Sequence, residues 1–401
     1  MVFTQYNFDE IRLPIVERND LFQRSVGETT DIVEKEMYRF EDRDGTVLTL
    51  RPEGTASLVR AYVEHALHAR EPVSKLYYFG PMFRRERPQK GRLRQFSQIG
   101  AEMIGRDDPA ADAEILLLLT DLLSDFGVTG AELQINTLGD RTCQPGYRAA
   151  LVEWGRAQGS ALCDDCARRL TQNPLRLLDC KQPGCVALRE TAPRMIDHTC
   201  DACREHFARV LDLLAAEGLE PRLQPYMVRG LDYYCRTAFE VIASGLGAQN
   251  ALGGGGRYDG LVRELGGPDV AGIGFALGVE RLLIVLAGEE AAAAPEFVVA
   301  PLGAAAERAA IALVHRLRRG GARVDVEPGG RSLKSQMRHA AKLGARYVII
   351  LGEDELAGGT FSVRDMEAKV DRPHVASLSA TAPELRAVLA AEGGGRMERS
   401  A

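Results

Sequence analysis

Basic residues crowd one short stretch of this sequence. Residues 84–94 read RRERPQKGRLR, which sets Arg84, Arg85, Arg87, Lys90, Arg92 and Arg94 against a single acid, Glu86. A planar guanidinium grips oxyanions in a bidentate fashion, so this density suits phosphate; charge can also simply block edge pairing of a hairpin. Immediately afterwards Phe96, Gln98, Gly100 and Glu102 alternate, which puts a ring, an amide and a carboxylate on one face of a strand. Beside a phosphate-binding loop, that row suggests a floor for a nucleotide and a polar small molecule. In LTLRPEGTASLVRAY, residues 48–62, Glu53 and Gly54 sit where a strand turns into a helix starting near Thr55. The Glu53 carboxylate is free there to meet an ammonium group, or else it only favours the helix N-terminus. VRGLDYYCRTAFEV, residues 228–241, reads as a strand that opens with Arg229, Asp232, Tyr233 and Tyr234. A cation and an anion on a covered sheet are costly unless each has a partner.

Elements must hold these groups in place. Strand patterns at 46–51, 75–83, 94–104, 131–137, 228–243 and 271–277, several with hairpin spacing, predict an α+β domain on an antiparallel sheet. Residues 143–223 interrupt it with a mostly helical pattern and read as an insertion. GIGFALGVERLLIVL, residues 272–286, is a glycine-rich strand leading into an apolar helix that carries Arg281. GGGGRYDGL, residues 253–261, includes Tyr258 and lets backbone approach something closely. It lacks the Lys-Ser/Thr of a P-loop and the strand–helix setting of a dinucleotide fingerprint. AGEEAAAAPE, residues 287–296, is an Ala-rich acidic linker. Beyond it, strands and helices alternate from FVVAPL to RYVIILG, predicting a small α/β domain over 297–401 with a largely parallel sheet. Its second helix, within 329–346, carries Arg331, Lys334, Arg338, Lys342 and Arg346, a pattern that a solvated face also produces.

Composition narrows the class. The 401 residues are 45% hydrophobic and 26% charged with a net charge of −6, as in a soluble multidomain protein without a global basic field. No stretch reaches the roughly 18 apolar residues of a membrane span, and the first residues lack a secretory pattern. A cytoplasmic protein is expected, and its eight cysteines then argue against disulfides. CDDC at 163–166 and CDAC at 200–203 suggest a tetrahedral zinc on Cys163, Cys166, Cys200 and Cys203, with Cys180 and Cys185 as possible replacements for one of the four. Buried thiols in a helical insertion are the alternative.

Taken together, EIRLP with its Pro14, FRRE with the hairpin after it, and GIGFALGVERL resemble the three signature motifs of the class II aminoacyl-tRNA synthetases. RPEGT, GPMFRRERPQKGRLRQFSQIGAE, the run at 228–234 and GGGGRYDGL resemble the histidyl-tRNA synthetase family within that class. The resemblance extends from about Tyr6 to the C-terminus. It implies a catalytic domain over 1–142 and 224–286, the helical insertion at 143–223 beside the tRNA acceptor arm, and an anticodon-binding domain over 297–401. It further implies two-step joining of L-histidine to tRNA-His through histidyl-adenylate, with ATP and its Mg²⁺, in a cytoplasmic homodimer.

Residue roles follow from the same resemblance. Arg84 would contact the α-phosphate and the histidine carboxylate, and Arg229 would face the α-phosphate from the opposite side. Glu53, Thr55 and Gln98 would receive the α-ammonium group. Phe96 would stack on adenine, with Arg281 on its other face or near the γ-phosphate, and Arg92 would steady the terminal phosphates. Tyr234 and Glu102 would hold the imidazole, whose two nitrogens need one donor and one acceptor. Tyr233 and Tyr258 would wall the pocket, and Asp232 would orient a neighbouring donor. Zinc would be structural, since not all members carry these cysteines. The family has a further helix and short strand before EIRLP that help form the dimer and cover the active site; a chain reaching this motif by Glu10 implies either a start placed too late or a truncation, and only the second would weaken dimerisation and full activity. The rival is a histidine-sensing regulatory subunit of ATP phosphoribosyltransferase, which typically lacks the anticodon domain.

Overall fold

A computed structural model describes residues 2–27, 30, 32–246, 250–286 and 294–393. The chain forms two compact units, Met1–Gly288 and Glu289–Ala401. Residues 287–293, most of the expected linker, lie outside the described residues.

The first unit is built on an eight-stranded sheet. In chain order its strands are β1 (Asp9–Glu10), β2 (Ser74–Phe83), β3 (Gln95–Ile104), β4 (Glu132–Thr137), β5 (Arg222–Leu223), β6 (Cys235–Ile242), β7 (Ala251–Arg257) and β8 (Gly272–Gly278). Their spatial order is β1-β2-β3-β8-β7-β6-β4-β5, antiparallel except for the short edge strands β1 and β5. A four-residue helix, Val2–Gln5, precedes β1.

Alternation gives the sheet two chemically different faces. Ala101 and Met103 of β3, Ile135 of β4, Phe239 and Val241 of β6, and Ile273, Phe275 and Leu277 of β8 enter one apolar core. Two helices cover that face: α1 (Pro109–Asp125), whose Asp108 cap accepts from the Ala110 and Ala111 amides, and α2 (Asp201–Ala216). The opposite face of the same strands presents Gln98, Gly100, Glu102, Glu240, Gly254, Gly274 and Ala276, and the chemistry gathers there.

Two expectations change at this level. The run at 228–234 is a loop, and the strand begins at Cys235. The run is held from outside the sheet instead: the Asp232 N–H donates to the Val26 carbonyl at 3.1 Å and the Gly230 carbonyl accepts from Arg176 at 2.7 Å. Conversely the four glycines of β7 form a central strand despite poor β-propensity, because β6 and β8 pair with it on both sides.

Residues 143–223 are mostly helical. Asn173 and Arg176 from this segment bind Asp232, with the Asn173 amide 3.1 Å from Oδ1 and an Arg176 nitrogen 3.3 Å from it. The donors that meet Asp232 thus come from residues 143–223.

In the second unit, β9 (Phe297–Pro301), β10 (Val324–Val326), β11 (Tyr347–Leu351), β12 (Thr360–Asp365) and β13 (Val370–Ser377) pair in the order β10-β9-β11-β12-β13. The first three are parallel, as anticipated, and an antiparallel hairpin extends them. Arg331, Lys334, Arg338, Lys342 and Arg346 are all exposed.

Candidate active site

A cavity of ≈ 180 Å³ opens on the polar face of the first sheet. Glu53, Thr55, Arg84, Arg92, Phe96, Gln98, Arg229, Tyr233, Tyr234 and Arg281 all line it. Along β3 the side chains run from Phe96 near the basic hairpin to Glu102, about 20 Å at ~3.3 Å per residue, enough for two substrates end to end.

Glycine makes room for these groups. A Cβ on Gly274 would stand 1.7 Å from a Glu102 oxygen, one on Gly254 3.0 Å from an Arg229 nitrogen, and one on Gly272 2.2 Å from the Tyr258 ring. Gly54 does the same for Tyr78, whose ring would be 2.3 Å from an added Cβ and which crosses the sheet opposite Gly100. Tyr78 lines the cavity and was missed by the sequence reading; its register partner Gly100 was the available signal.

Each acid on the wall is engaged by a protein donor. Glu53 is fully buried and accepts from the backbone N–H of Thr55 at 2.7 Å and of Ala56 at 2.9 Å. Its carboxylate is thus not free: it opens the helix Thr55–Glu64 as well as facing the cavity, and burial holds its pKa above the usual range. Glu86 pairs with Arg92 at 2.7 Å, Glu240 with Arg229 at 2.8 Å, and Glu280 accepts from the Ser97 N–H at 2.8 Å. Glu240 is a second residue the sequence reading missed. A lone charge inside the apolar run TAFEVI was its trace.

Arg84 and Arg281 form no ion pair among the described residues. Arg84 donates to the Pro52 carbonyl at 2.9 Å and lies over the Phe96 ring at 5.3 Å. Arg281 donates to the carbonyls of Gly91 and Ala251, bracing the hairpin loop. Burial, with Arg92 nearby, lowers its pKa. The cation resting on Phe96 is therefore Arg84, and Arg281 sits at the hairpin end.

Glu102 and Tyr258 are buried and are not among the residues that line the cavity. They form a buried layer beneath it, in which Thr55 Oγ1 and the Tyr258 hydroxyl donate to Glu102 at 2.6 and 2.7 Å. Gly54 likewise underlies the wall, packed on Tyr78. Burial pushes the Glu102 carboxyl up to about 8. Gln98 Oε1 and Arg229 Nε are buried without a hydrogen-bond partner among the described residues, which is unusual outside a ligand site.

Comparison with known proteins decides the family. A family model described as Histidyl-tRNA synthetase matches residues 1–139 and 161–282, and one described as Anticodon binding domain matches 296–384. The Histidine--tRNA ligase of Trichlorobacter lovleyi is 53% identical over 365 residues, covering 91% of this chain and 87% of its own. That of Syntrophotalea carbinolica is 52% identical over 374 residues, covering 93% and 89%. The crystal structure of apo S. aureus histidyl-tRNA synthetase superposes with a TM-score of 0.73 at 36% identity, covering 92% and 90%. The chain belongs to the histidyl-tRNA synthetase family. It is a class II aminoacyl-tRNA ligase with the expected α+β fold.

The cysteines depart from the set that their spacing suggested. Cys163, Cys166, Cys200 and Cys203 do not converge. Cys163 and Cys166 meet Cys180 and Cys185, whereas Cys200 and Cys203 meet Cys143 and Asp140. The two C-x-x-C motifs open two different helices, Asp164–Gln172 and α2, and their thiols fall in two separate groups. No helix of the described residues is long and apolar enough to cross a membrane.

Proposed function

We propose the following division of labour in this histidine–tRNA ligase. Phe96, Arg84, Arg92 and Arg281 take ATP at the hairpin end, and Glu53, Thr55, Gln98, Tyr233 and Tyr234 take histidine at the other, with Glu102 and Tyr258 supporting from beneath. The observation that carries this reading is the two-ended wall: Arg84 and Arg281, neither in an ion pair among the described residues, stand with Arg92 at one end, and buried carboxyls and phenols stand at the other.

A histidine carboxylate oxygen would attack the α-phosphorus of ATP, and pyrophosphate would leave. Arg84 and Arg229 would hold the charge developing there, since prepositioned donors stabilise it without reorganisation. Arg229 reaches this role already braced by Glu240. The terminal ribose hydroxyl of tRNA-His would then displace AMP from the adenylate. Orientation and electrostatics suffice for both steps, and no side-chain nucleophile is required.

Tyr234 and Glu102 would hold the imidazole through one donor and one acceptor, so an analogue lacking a ring nitrogen would leave a buried polar group unpaired. Mg²⁺ would arrive with the phosphates, as the acids on the wall are already engaged. We assign activation to 1–142 and 224–286, and tRNA contacts to 143–223 and 297–401. A structural zinc in the insertion would rest on Cys163, Cys166, Cys180 and Cys185. The working form would be a cytoplasmic homodimer, which light scattering would test.

Pyrophosphate exchange measured with each of the twenty amino acids tests the function. Exchange is expected with histidine alone, followed by charging of tRNA-His. A protein that binds histidine but exchanges no pyrophosphate would instead be a sensor of the regulatory-subunit kind.

A further inference from the structure

Two stretches of the insertion nearly repeat: LCDDCARR at 162–169 and TCDACREH at 199–206. Both fold alike. Cys163 and Cys200 are extended cap residues, at φ −69°, ψ 161° and φ −68°, ψ 164°, and each opens a helix. The second cysteine of each motif, Cys166 or Cys203, is buried one turn in. Each motif meets a different second pair. Cys180 and Cys185 complete the first, giving four cysteines. Asp140 and Cys143 complete the second, and in each group the ligand atoms all lie within 4.8 Å of one another.

We propose that Asp140, Cys143, Cys200 and Cys203 form a second zinc centre, with three thiolates and one carboxylate, separate from the four-cysteine cluster. Spacing supports coordination over mere packing. Tetrahedral zinc with bonds of about 2.3 Å to sulfur and about 2.0 Å to oxygen sets neighbouring sulfurs about 3.8 Å apart and a sulfur and oxygen about 3.5 Å apart. Cys143 Sγ is 3.9 Å from Cys203 Sγ and 3.6 Å from Asp140 Oδ1. The four-cysteine cluster has the same spacing, 3.8 Å between the Cys163 and Cys180 sulfurs.

Surrounding groups orient these ligands. The Thr142 N–H donates to Asp140 Oδ1 at 2.9 Å, and the Asp140 N–H donates to Cys143 Sγ at 3.3 Å. Arg236 stands 3.6 Å from the other Asp140 oxygen, Oδ2. Such outer partners fix a ligand's direction. Three thiolates and a carboxylate would exceed the charge of a divalent ion, and Arg236 with the N-terminus of the sixteen-residue α2 offsets the remainder.

The position gives the site its purpose. Asp140 follows strand β4, Cys143 begins the insertion, and Cys200 and Cys203 bring the chain back into α2. An ion here would close the insertion at its root. It would also fix Gly139, which accepts from the Arg236 N–H at 2.6 Å, two residues from Tyr234 of the cavity wall.

Elemental analysis of the full chain, purified without chelator, tests this. Two zinc ions per chain are expected. Cys200→Ser and Cys180→Ser should each keep one, and the double variant none. X-ray absorption of the unaltered protein should give seven sulfurs and one oxygen shared between two ions, and Asp140→Cys should keep both ions while making the shell all sulfur. A single zinc that survives Cys200→Ser and is lost in Cys180→Ser would overturn the second centre. Should Cys200→Ser not fold, the unaltered protein still decides: one zinc per chain in an all-sulfur shell overturns the proposal.

Discussion

In the C-terminal sheet, Phe297–Pro301 is buried along its whole length and Tyr347–Leu351 nearly so, with Val, Ile and Phe facing both ways. In the first sheet, the equally central β7 and β8 carry seven glycines between them, and Arg229, Tyr234, Tyr258 and Glu102 pack against Gly254, Gly256, Gly272 and Gly274. One sheet is a scaffold packed with apolar side chains on both faces. The other gives up one face to backbone and buried polar groups. A sheet that carries a site forfeits apolar burial there, and its helix-covered face supplies the core instead. Substitutions in the two sheets should therefore fail differently, one by losing chemistry and the other by losing stability.

The largest separation is expected from Arg229→Ala, which should cut pyrophosphate exchange by about 100- to 1000-fold in a protein that still melts cooperatively. Exchange within threefold of the parent would remove Arg229 from the reaction. Deleting residues 297–401 should do the reverse. Tested on protein that still melts cooperatively, exchange should stay within a few fold while charging of tRNA-His drops more than tenfold. Equal charging by the shortened chain would show that the second unit reads no anticodon.

A matched pair sharpens the contrast. Gly274→Ala drives a methyl into Glu102 and should raise the KM for histidine at least tenfold. Val298→Ala, in the fully buried β9, should cost about 2 kcal/mol in chemical denaturation and leave exchange unchanged. If both variants lose only stability, the glycine face is not reserved for ligands.

The smallest effect is in pH. Glu102 has a folded pKa of about 8, above its ordinary value, so the folded state holds a proton that the unfolded chain has already lost. Its contribution is complete below the unfolded pKa near 4 and is lost as pH rises through about 8. The melting temperature should fall across that range, and Glu102→Gln should flatten the fall. An unchanged slope in the variant would assign the proton elsewhere.

Much of the site was legible as residue types. Arg84 and Arg92 of the hairpin, Phe96 and Gln98 of the row after it, and Glu53 and Thr55 of the RPEGT turn line one cavity, with Glu102 buried next to it. Their strands were legible too, because β2, β3 and β8 alternate between an apolar core and a polar face. The run at 228–234 was misread because its β-formers sit in a loop held from outside by Val26 and the insertion. The hairpin of β12 and β13 and the strand of four glycines went unseen for a related reason. Their pairing depends on distant neighbours more than on their own propensity.

The sequence by itself determined the residue types, their order and the periodicity that separates a core face from a site face. These are local quantities that every strand and helix carries along its own length. Only the tertiary structure decided which groups are partners. Glu240 braces Arg229, Thr55 and Tyr258 hold Glu102 beneath the cavity, Asp232 is tied to Asn173 and Arg176, and the two C-x-x-C motifs part to join different neighbours. Cys166 and Cys203 stand at the same place in near-identical motifs, yet one meets Cys180 and the other Cys143. Spacing along a chain limits which ligands can meet. Which of them do meet is set by how the helices that carry them pack.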